Sequence, residues 1–267
     1  MVNGRNYKNS RLSRGLTSFL KLGLLLFLRK ERDMIKFVQD DLLYLSSTFS
    51  KLLKRKFGKG PETCLVMIKG SRLYVYMRSF ITPAEEVLKN QDELNLAIQF
   101  RSAVMSSVTK EFILAASTVL GNAFDNFLHD WNYETNTGIL VLEKAAEIHE
   151  RLVDVSIENT LFSKLKDIGA RYHKQPASLK VVKYTHNICA IESKEVLLKI
   201  ESLVYEKGNI DVLLHYSREV KSGYYKHKGV FEDLFNRLID DIFILWDYEG
   251  DRNYLIFVFK KEEYLVN

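Results

Sequence analysis

The chain has 267 residues, which is enough for one large domain or two small ones. It has 3 Pro against 14 Tyr and 16 Phe, a composition that is typical of packed helices and strands and excludes a disordered chain. The net charge of +5 arises at the N-terminus, because residues 1–35 hold eight basic and two acidic side chains and the remainder has a net charge of −1. A nearly neutral body argues against a dedicated nucleic-acid-binding protein.

The first predicted segment is a basic and apolar leader, residues 1–34, which contains LTSFLKLGLLLFLRK (16–30). Its apolar core of about 13 positions is shorter than the ~20 residues of a membrane span, and Lys21 interrupts it. Basic residues on both sides of an apolar core are typical of a peripheral membrane anchor. Alternatively, the leader is translated upstream DNA and Met34 is the natural start, because Arg29-Lys30-Glu31-Arg32 can be encoded by a purine-rich ribosome-binding sequence.

Residues 35–144 then show a regular order of elements. An apolar stripe predicts a helix that KFGKGP ends, because Gly58 suits the left-handed position after a helix and Pro61 cannot continue one. TCLVMI (63–68) and RLYVYM (72–77) predict a hairpin. A long helical region follows from ITPAEE to about Leu120, and two strands are predicted near 123–133 and 138–144. The stripe residues of the first helix are Ile35, Val38, Leu42, Leu45, Phe49 and Leu52, and the buried face of the long helical region is predicted at Ala97, Phe100, Val104, Val108, Phe112, Ala115 and Val119.

The same order recurs in residues 145–267. Apolar spacing predicts a helix over about 148–168, SLKVVK and NICAIE predict two strands, and DDIFILWDYE with NYLIFVF predicts a final hairpin. Residues 115 positions apart match: Pro61 with Pro176, Asp125 with Asp240, and WNYE (131–134) with WDYE (246–249). The sequence therefore predicts a tandem duplication with a divergent second copy.

The predicted fold class is α+β. It consists of two tandem two-layer units, each helix–strand–strand–helix–strand–strand, with a mainly antiparallel four-stranded sheet covered by helices on one face. The two units are expected to pack as a pseudo-two-fold pair, and a homo-oligomer is also left open. Equivalent residues meet across such an axis, so Trp131, Tyr133, Trp246 and Tyr248 are predicted to lie at the seam between the units.

The segment Thr82-Pro83-Ala84-Glu85 fits a capping box, with Thr82 as the N-cap, Pro83 as the first helical residue and Glu85 as the third. A helix N-terminus also attracts small anions. Arg78 lies just upstream, and Lys59 or Arg72 would lie nearby if the hairpin folds back. These three basic residues and Thr82 are therefore the candidate anion site, although Glu85 would oppose an anion at the same terminus.

GKGP, the hairpin and ITPAEEVL together resemble the MpsC family, with Ile81 in place of the usual Leu. The matching positions are Gly58, Gly60, Pro61, Thr82, Pro83, Ala84 and Glu85. The resemblance covers residues 35–144, whereas the second copy has HKQP and IESKEVL at these places. It implies association with the membrane subunits of a bacterial system for dissolved inorganic carbon (bicarbonate/CO2) uptake or membrane-potential generation. It implies no catalytic activity.

No other pattern predicts a metal, a cofactor or a catalytic set. The six histidines lack metal-ligand spacing, GKGP lacks the length and the following Ser/Thr of a phosphate loop, and Cys64 and Cys189 are expected to be free. The expectation is a cytoplasmic, non-enzymatic accessory or regulatory protein, peripheral to the inner face of the membrane. Two alternatives stay open: a sensor or enzyme that binds a small carboxylate or bicarbonate at the Thr82 helix terminus, and a nucleic-acid binder that uses the leader and a predicted basic loop, REVKSGYYKHKG (218–229).

Overall fold

The computed structural model describes residues 39–144 and 157–260. The chain divides into two compact parts after Tyr44; in the first part, residues 39–44 are helical. The second part contains a first half (residues 45–144) and a second half (residues 157–260). The predicted leader, residues 145–156 between the halves, and the predicted helix starts at 35–38 and 148–155 lie outside the described residues.

The first half contains three helices and four strands. In chain order they are α1 (helical residues 45–57), β1 (Thr63–Lys69), β2 (Arg72–Arg78), α2 (Pro83–Asn90), α3 (Leu94–Leu120), β3 (Asn126–Asn132) and β4 (Thr137–Glu143). The second half has a similar order with one additional helix. Its elements are α4 (Glu158–Tyr172), β5 (Ser178–Tyr184), β6 (Ile188–Lys194), α5 (Lys199–Glu206), α6 (Ile210–Lys226), α7 (Lys228–Phe235), β7 (Ile239–Asp247) and β8 (Arg252–Phe259).

Each half builds one four-stranded sheet in which every neighbouring pair is antiparallel. The strand order is β1-β2-β4-β3 in the first sheet and β5-β6-β8-β7 in the second. The predicted α+β class and the order of elements in each half are therefore confirmed. The tandem origin of the halves stays a prediction, because an equal strand order does not by itself establish common descent.

Alternation along the strands divides each sheet into a helix-covered face and a face toward the other half. In β8, Leu255, Phe257 and Phe259 pack with residues of α4, α6 and α7. Tyr254 and Ile256 point to the opposite face, where they join a buried cluster with residues of the first sheet. The halves thus meet through the sheet faces that no helix covers. The first-half members of that cluster are Tyr74, Tyr76, Leu128, Ile139 and Val141, and the second-half members are Val182, Ile188, Ala190, Phe243, Leu245, Tyr254, Ile256 and Val258.

The rings of the predicted seam residues pack mainly within their own halves. Trp131 and Tyr133 pack with Ile81 and Ala97 inside the first half, and Trp246 packs in the helix-side core of the second half. Tyr248 stacks on Tyr205 of α5, with ring centroids 5.7 Å apart. These four rings are therefore not the central contact between the sheets, although Trp131 and Tyr133 also border α6 of the second half.

Two helical predictions also need correction. The region from ITPAEE to Leu120 is two helices, because Asp92 has a φ of 61° and breaks the helical path between α2 and α3. Residues 218–229 are not a loop, since they form the end of α6 and the start of α7. Gly223 inside α6 is a packing requirement, because an added Cβ would overlap the ring of Tyr172.

The buried stripe of α3 differs from the predicted one. Phe100 is 43% exposed, whereas Arg101 is 1% exposed. The buried residues are Ala97, Arg101, Met105, Val108, Thr109, Phe112 and Ala116. In the described part of the chain, α3 is the one helix long and apolar enough to span a membrane by length and composition, with a mean hydropathy of 1.3. Its continuous buried stripe is what the core helix of a folded domain also has.

Candidate functional site

The N-terminus of α2 is closed by a capping box. Thr82 Oγ1 accepts a hydrogen bond from the Glu85 amide at 3.3 Å, and the Glu85 carboxylate accepts one from the Thr82 amide at 2.9 Å. Pro83 is the first helical residue, as the sequence predicts. The exposed fraction of Glu85 is 0%. The carboxylate that supports the cap is therefore fully buried at the positive end of the helix.

Arg101 of α3 neutralises this buried carboxylate. Its Nε donates to Glu85 Oε1 at 2.6 Å, and its Nη2 donates to Glu85 Oε2 at 2.5 Å and to the Phe80 carbonyl at 3.1 Å. Four aromatic rings surround the guanidinium, so cation–π attraction adds to the ion pair. The distances from Arg101 Cζ to the ring centroids are 4.2 Å for Trp131, 4.7 Å for Phe80, 5.4 Å for Phe57 and 5.7 Å for Tyr133.

These residues form one motif centre: Phe57, Phe80, Thr82, Glu85, Arg101, Trp131 and Tyr133. The centre joins the end of α1, the N-terminus of α2, the middle of α3 and the β3–β4 hairpin. Tyr133 completes it, because its hydroxyl donates to Glu85 Oε1 at 3.3 Å. Sequence reasoning missed Arg101. The available signal was a charged residue four positions from Ala97 and from Met105 on a stripe that is otherwise mostly apolar.

The four candidate anion-binding residues do not converge. Lys59 Nζ donates to the Ile81 carbonyl at 2.8 Å, so it supports the loop before Thr82. Arg78 forms an ion pair with Asp240 of the second half and donates to the Tyr76 hydroxyl at 3.1 Å. Arg72 lies at the other end of β2, six residue steps or about 20 Å away. Glu85 therefore takes the anionic place at the α2 terminus, and Arg78 is turned toward the other half.

Arg72 belongs to a buried polar network between the two sheets. Its Nε donates to Glu143 Oε1 at 3.0 Å, and its Nη2 donates to the Tyr254 hydroxyl at 3.2 Å. Tyr254 donates to Glu143 at 2.6 Å and contacts Glu192 at 2.8 Å, while Arg252 Nη2 donates to Glu143 Oε2 at 2.7 Å. This network fixes how the two sheets are placed against each other, because Glu143 of the first half binds side chains of the second half and Glu192 of the second half lies 3.6 Å from Arg72 of the first.

The remaining family-motif residues shape the chain around the centre. Gly58 has a φ of 76°, the left-handed conformation that the sequence predicts after α1. Gly60 lies close to α1, where an added Cβ would come within 3.3 Å of the Ser50 carbonyl. Pro61 precedes β1, and Ala84 occupies the first turn of α2.

The second half has an equivalent centre with different chemistry. Glu201 lies at the third position of α5 and accepts a hydrogen bond from the Leu198 amide at 2.7 Å, but Leu198 has no side-chain oxygen to return it. His173 Nε2 contacts Glu201 Oε2 at 2.7 Å, and Trp246 lies 5.1 Å from the His173 ring. The predicted match between IESKEVL and ITPAEEVL is thus wrong, because β6 continues through Lys194 and the equivalent helix starts at Lys199.

Matching backbone contacts support this equivalence. Lys174 Nζ donates to the Leu197 carbonyl at 3.1 Å, as Lys59 does to the Ile81 carbonyl. Asp251 Oδ1 accepts from the Leu197 amide at 2.7 Å, and Asn136 Oδ1 accepts from the Ile81 amide at 2.8 Å. The backbone next to the two centres is therefore held by equivalent hydrogen bonds.

A cleft of about 420 Å³ opens beside the motif centre of the first half. One wall consists of α3 and the β3–β4 hairpin, including Ile98, Trp131 and Tyr133, and the other consists of α6, including Arg218 and Lys221. A volume of this size is typical of small-molecule pockets. Trp131 and Tyr133 belong to both the motif centre and the wall of the cleft, so the cleft adjoins the motif centre.

Lys221 ties the two walls together. Its ammonium donates to Asp130 Oδ1 at 2.7 Å, to Asp130 Oδ2 at 2.9 Å and to the Trp131 carbonyl at 2.7 Å. Asp130 Oδ2 also accepts from the Ile244 amide of β7 at 2.9 Å. His129 lines the same cleft, where burial and the neighbouring charge of Arg101 lower its pKa to about 4. Its imidazole is therefore neutral near pH 7.

Comparison with known proteins identifies the first half. Residues 44–143 match the model of the family described as Na+-translocating membrane potential-generating system (MpsC). No curated protein and no solved structure matches the chain. This segment, which holds the whole motif centre, is similar to the MpsC family, and the match suggests a role in a Na+-translocating, membrane-potential-generating system. Whether the second half belongs to the family stays a prediction.

Proposed function

We propose that the chain is a non-enzymatic accessory or regulatory protein of a bacterial membrane system that takes up dissolved inorganic carbon or generates membrane potential. It acts from the cytoplasmic side by binding membrane subunits of that system. The observation that carries the proposal is the family match over residues 44–143, which spans β1 to β4 with both helices between them.

The chemistry of the motif centre supports a binding role. Its carboxylate is saturated by the amide of Thr82, by Arg101 and by Tyr133, and its exposed fraction is 0%. A general acid or base must reach a reacting group, and a nucleophile must be exposed to its substrate. The family-motif residues instead hold α1, α2, α3 and the β3–β4 hairpin in fixed relation.

Exposed apolar side chains on α3 offer a contact surface for a membrane subunit. Leu96, Phe100 and Leu114 are 49%, 43% and 70% exposed, and their spacing places them within about 40° of one another around the helix axis. The second half offers a matched control set of exposed apolar residues, Ile200, Leu203 and Val212. Large apolar side chains grouped on a surface commonly mark interaction sites.

The test is affinity capture of the tagged chain from detergent-solubilised membranes of its host. We expect integral membrane subunits of an inorganic-carbon or Na+ transport system to be enriched. Replacing Leu96, Phe100 and Leu114 by Gln should abolish the enrichment, whereas replacing Ile200, Leu203 and Val212 by Gln should preserve it. Loss of the protein should also lower bicarbonate uptake or membrane potential in cells. Capture without any membrane subunit, or unchanged uptake and potential, would contradict the proposal.

A further inference from the structure

We propose that the cleft between α3 and α6 is a binding site for a small organic monoanion with an apolar, preferably aromatic, body. The site goes beyond the proposed membrane role, since it is defined by the cleft alone. It also differs from the anion site predicted at Thr82, because its charged group comes from the second half.

The walls fit an apolar body. Leu94 and Ile98 of α3 and Leu214 of α6 face the cleft, together with the rings of Trp131 and Tyr225. Aromatic rings at such a wall favour stacking or edge contacts with a planar ligand. Small hydroxyl side chains, Ser102, Ser217 and Ser222, leave the space between the walls open.

Arg218 is the basic lining residue that offers a place for an anionic group. Lys221 is saturated by Asp130 and the Trp131 carbonyl, and Glu134 is 78% exposed at the rim, where it pairs with Lys89 at 3.4 Å. Arg218 Nη1 donates to Asn95 Oδ1 of α3 at 2.7 Å, and Arg218 forms no ion pair with a described residue. Its guanidinium is thus held across the cleft by a neutral partner. Glu219, the other acidic lining residue, is exposed to solvent.

A second, much smaller space lies inside the helix-side core of the second half. The space beside Trp246 is about 20 Å³, less than a twentieth of the cleft beside Trp131. Tyr224 and His173 line that smaller space. The cleft between α3 and α6 is therefore the space with room for a small molecule.

A bound ligand would contact both halves and the outer side of the motif centre. Trp131 lines the cleft, and its ring also lies over the Arg101 guanidinium. Occupancy should therefore stabilise the packing of α6 on α3 and raise the thermal midpoint of the compact part as a whole.

The experiment uses two fluorescent probes with nearly the same aromatic body: anilinonaphthalenesulfonate, a monoanion, and N-phenylnaphthylamine, which is uncharged. A Trp246→Phe chain leaves Trp131 as the single indole, so energy transfer from it reports binding near the cleft. We expect the sulfonate to bind with transfer from Trp131 and to bind at least tenfold tighter than the uncharged probe.

Three variants in that background separate charge, volume and general effects. Arg218→Gln should weaken the sulfonate about tenfold and change the uncharged probe less than twofold, because it removes the charge alone. Ser222→Phe should weaken both probes at least fivefold by filling the cleft. Arg171→Gln, an exposed arginine on α4 outside the cleft, should change neither. If both Arg218→Gln and Ser222→Phe leave sulfonate binding unchanged, the site is wrong; if the uncharged probe binds as tightly as the sulfonate, the ligand class is wrong.

Discussion

Each half buries a glutamate at an equivalent position of its fold, but a different type of side chain pairs with that glutamate in each half. In the first half, Glu85 is paired with Arg101, which reaches it from the middle of α3. In the second half, Glu201 is paired with His173, which reaches it from the end of α4. The position equivalent to Gly58 supplies the histidine, so the side chain that contacts the acid comes from a different element in each half.

The halves differ both in the side chain that pairs with the buried acid and in the cap of the helix. A guanidinium is always protonated and donates in two directions, whereas an imidazole is neutral or charged depending on pH and offers one donor to Glu201. The halves also differ in the cap, because Thr82 returns a hydrogen bond that Leu198 cannot. Both halves have an acid at the third position of the helix and a tryptophan close to it. The side chain that pairs with the acid and the residue that caps the helix differ between the halves.

The largest effect is expected from Arg101→Met. It leaves Glu85 buried without its cation, and breaking a buried ion pair in this way typically costs about 3–5 kcal/mol. Urea unfolding would measure the loss. The double variant Glu85→Gln with Arg101→Met should recover part of the stability, because the uncompensated charge is gone. A loss below about 1 kcal/mol in the single variant would show that the motif centre is not a stabilising core.

A smaller loss is expected from His173→Phe. The phenyl ring keeps most of the volume beside Trp246 but removes the hydrogen bond to the Glu201 carboxylate, a type of bond worth about 1.5–3 kcal/mol. His215→Phe is the matched control, since His215 is exposed on α6. If His173→Phe lowers stability as much as Arg101→Met, the choice of arginine or histidine as partner of the buried carboxylate does not affect the free energy of unfolding.

Acid pH should act on the first half through His129. Its folded-state pKa of about 4 lies below the usual value near 6.5, so the unfolded chain binds more protons between these values. Stability is therefore expected to fall as pH decreases from about 6.5 to 4, by up to about 3 kcal/mol from this residue. His129→Gln should flatten that part of the curve of thermal midpoint against pH. An unchanged slope in the variant would assign the acid sensitivity to other groups.

Much of the fold could be predicted from sequence because local signals agree with the final structure. Alternating apolar residues located the β1–β2 and β7–β8 hairpins, and the matched WNYE and WDYE segments indicated the second half. The acid cap at Glu85 was also predictable, because a capping box depends on residues three positions apart. These features arise from contacts that are short in sequence.

The features that were missed depend on long-range contacts. Arg101 lies 16 residues after Glu85, and its place on the apolar stripe of α3 does not specify which carboxylate it pairs with. The basic segment 218–229 was predicted as a loop, whereas it is helical and packs against a distant part of the chain, where Gly223 makes room for Tyr172. The contact between the sheets was missed because a repeated Trp-x-Tyr pattern does not specify which face of a sheet meets the other half.

The smallest expected effect concerns the cap that distinguishes the two helix termini. Thr82→Ala removes the side-chain acceptor of the Glu85 amide while the carboxylate of Glu85 still accepts from the backbone of residue 82, so the first half acquires the half-box of the second. The loss should be about 1 kcal/mol, within the usual range of about 0.5–2 kcal/mol for a lost N-cap. Thr82→Ser keeps the hydroxyl and should remain within about 0.5 kcal/mol of the wild type, which urea unfolding of the three proteins would show. A loss from Thr82→Ala as large as that from Arg101→Met would mean that the hydroxyl also supports the buried ion pair, because Thr82 Oγ1 lies 2.8 Å from Glu85 Oε2.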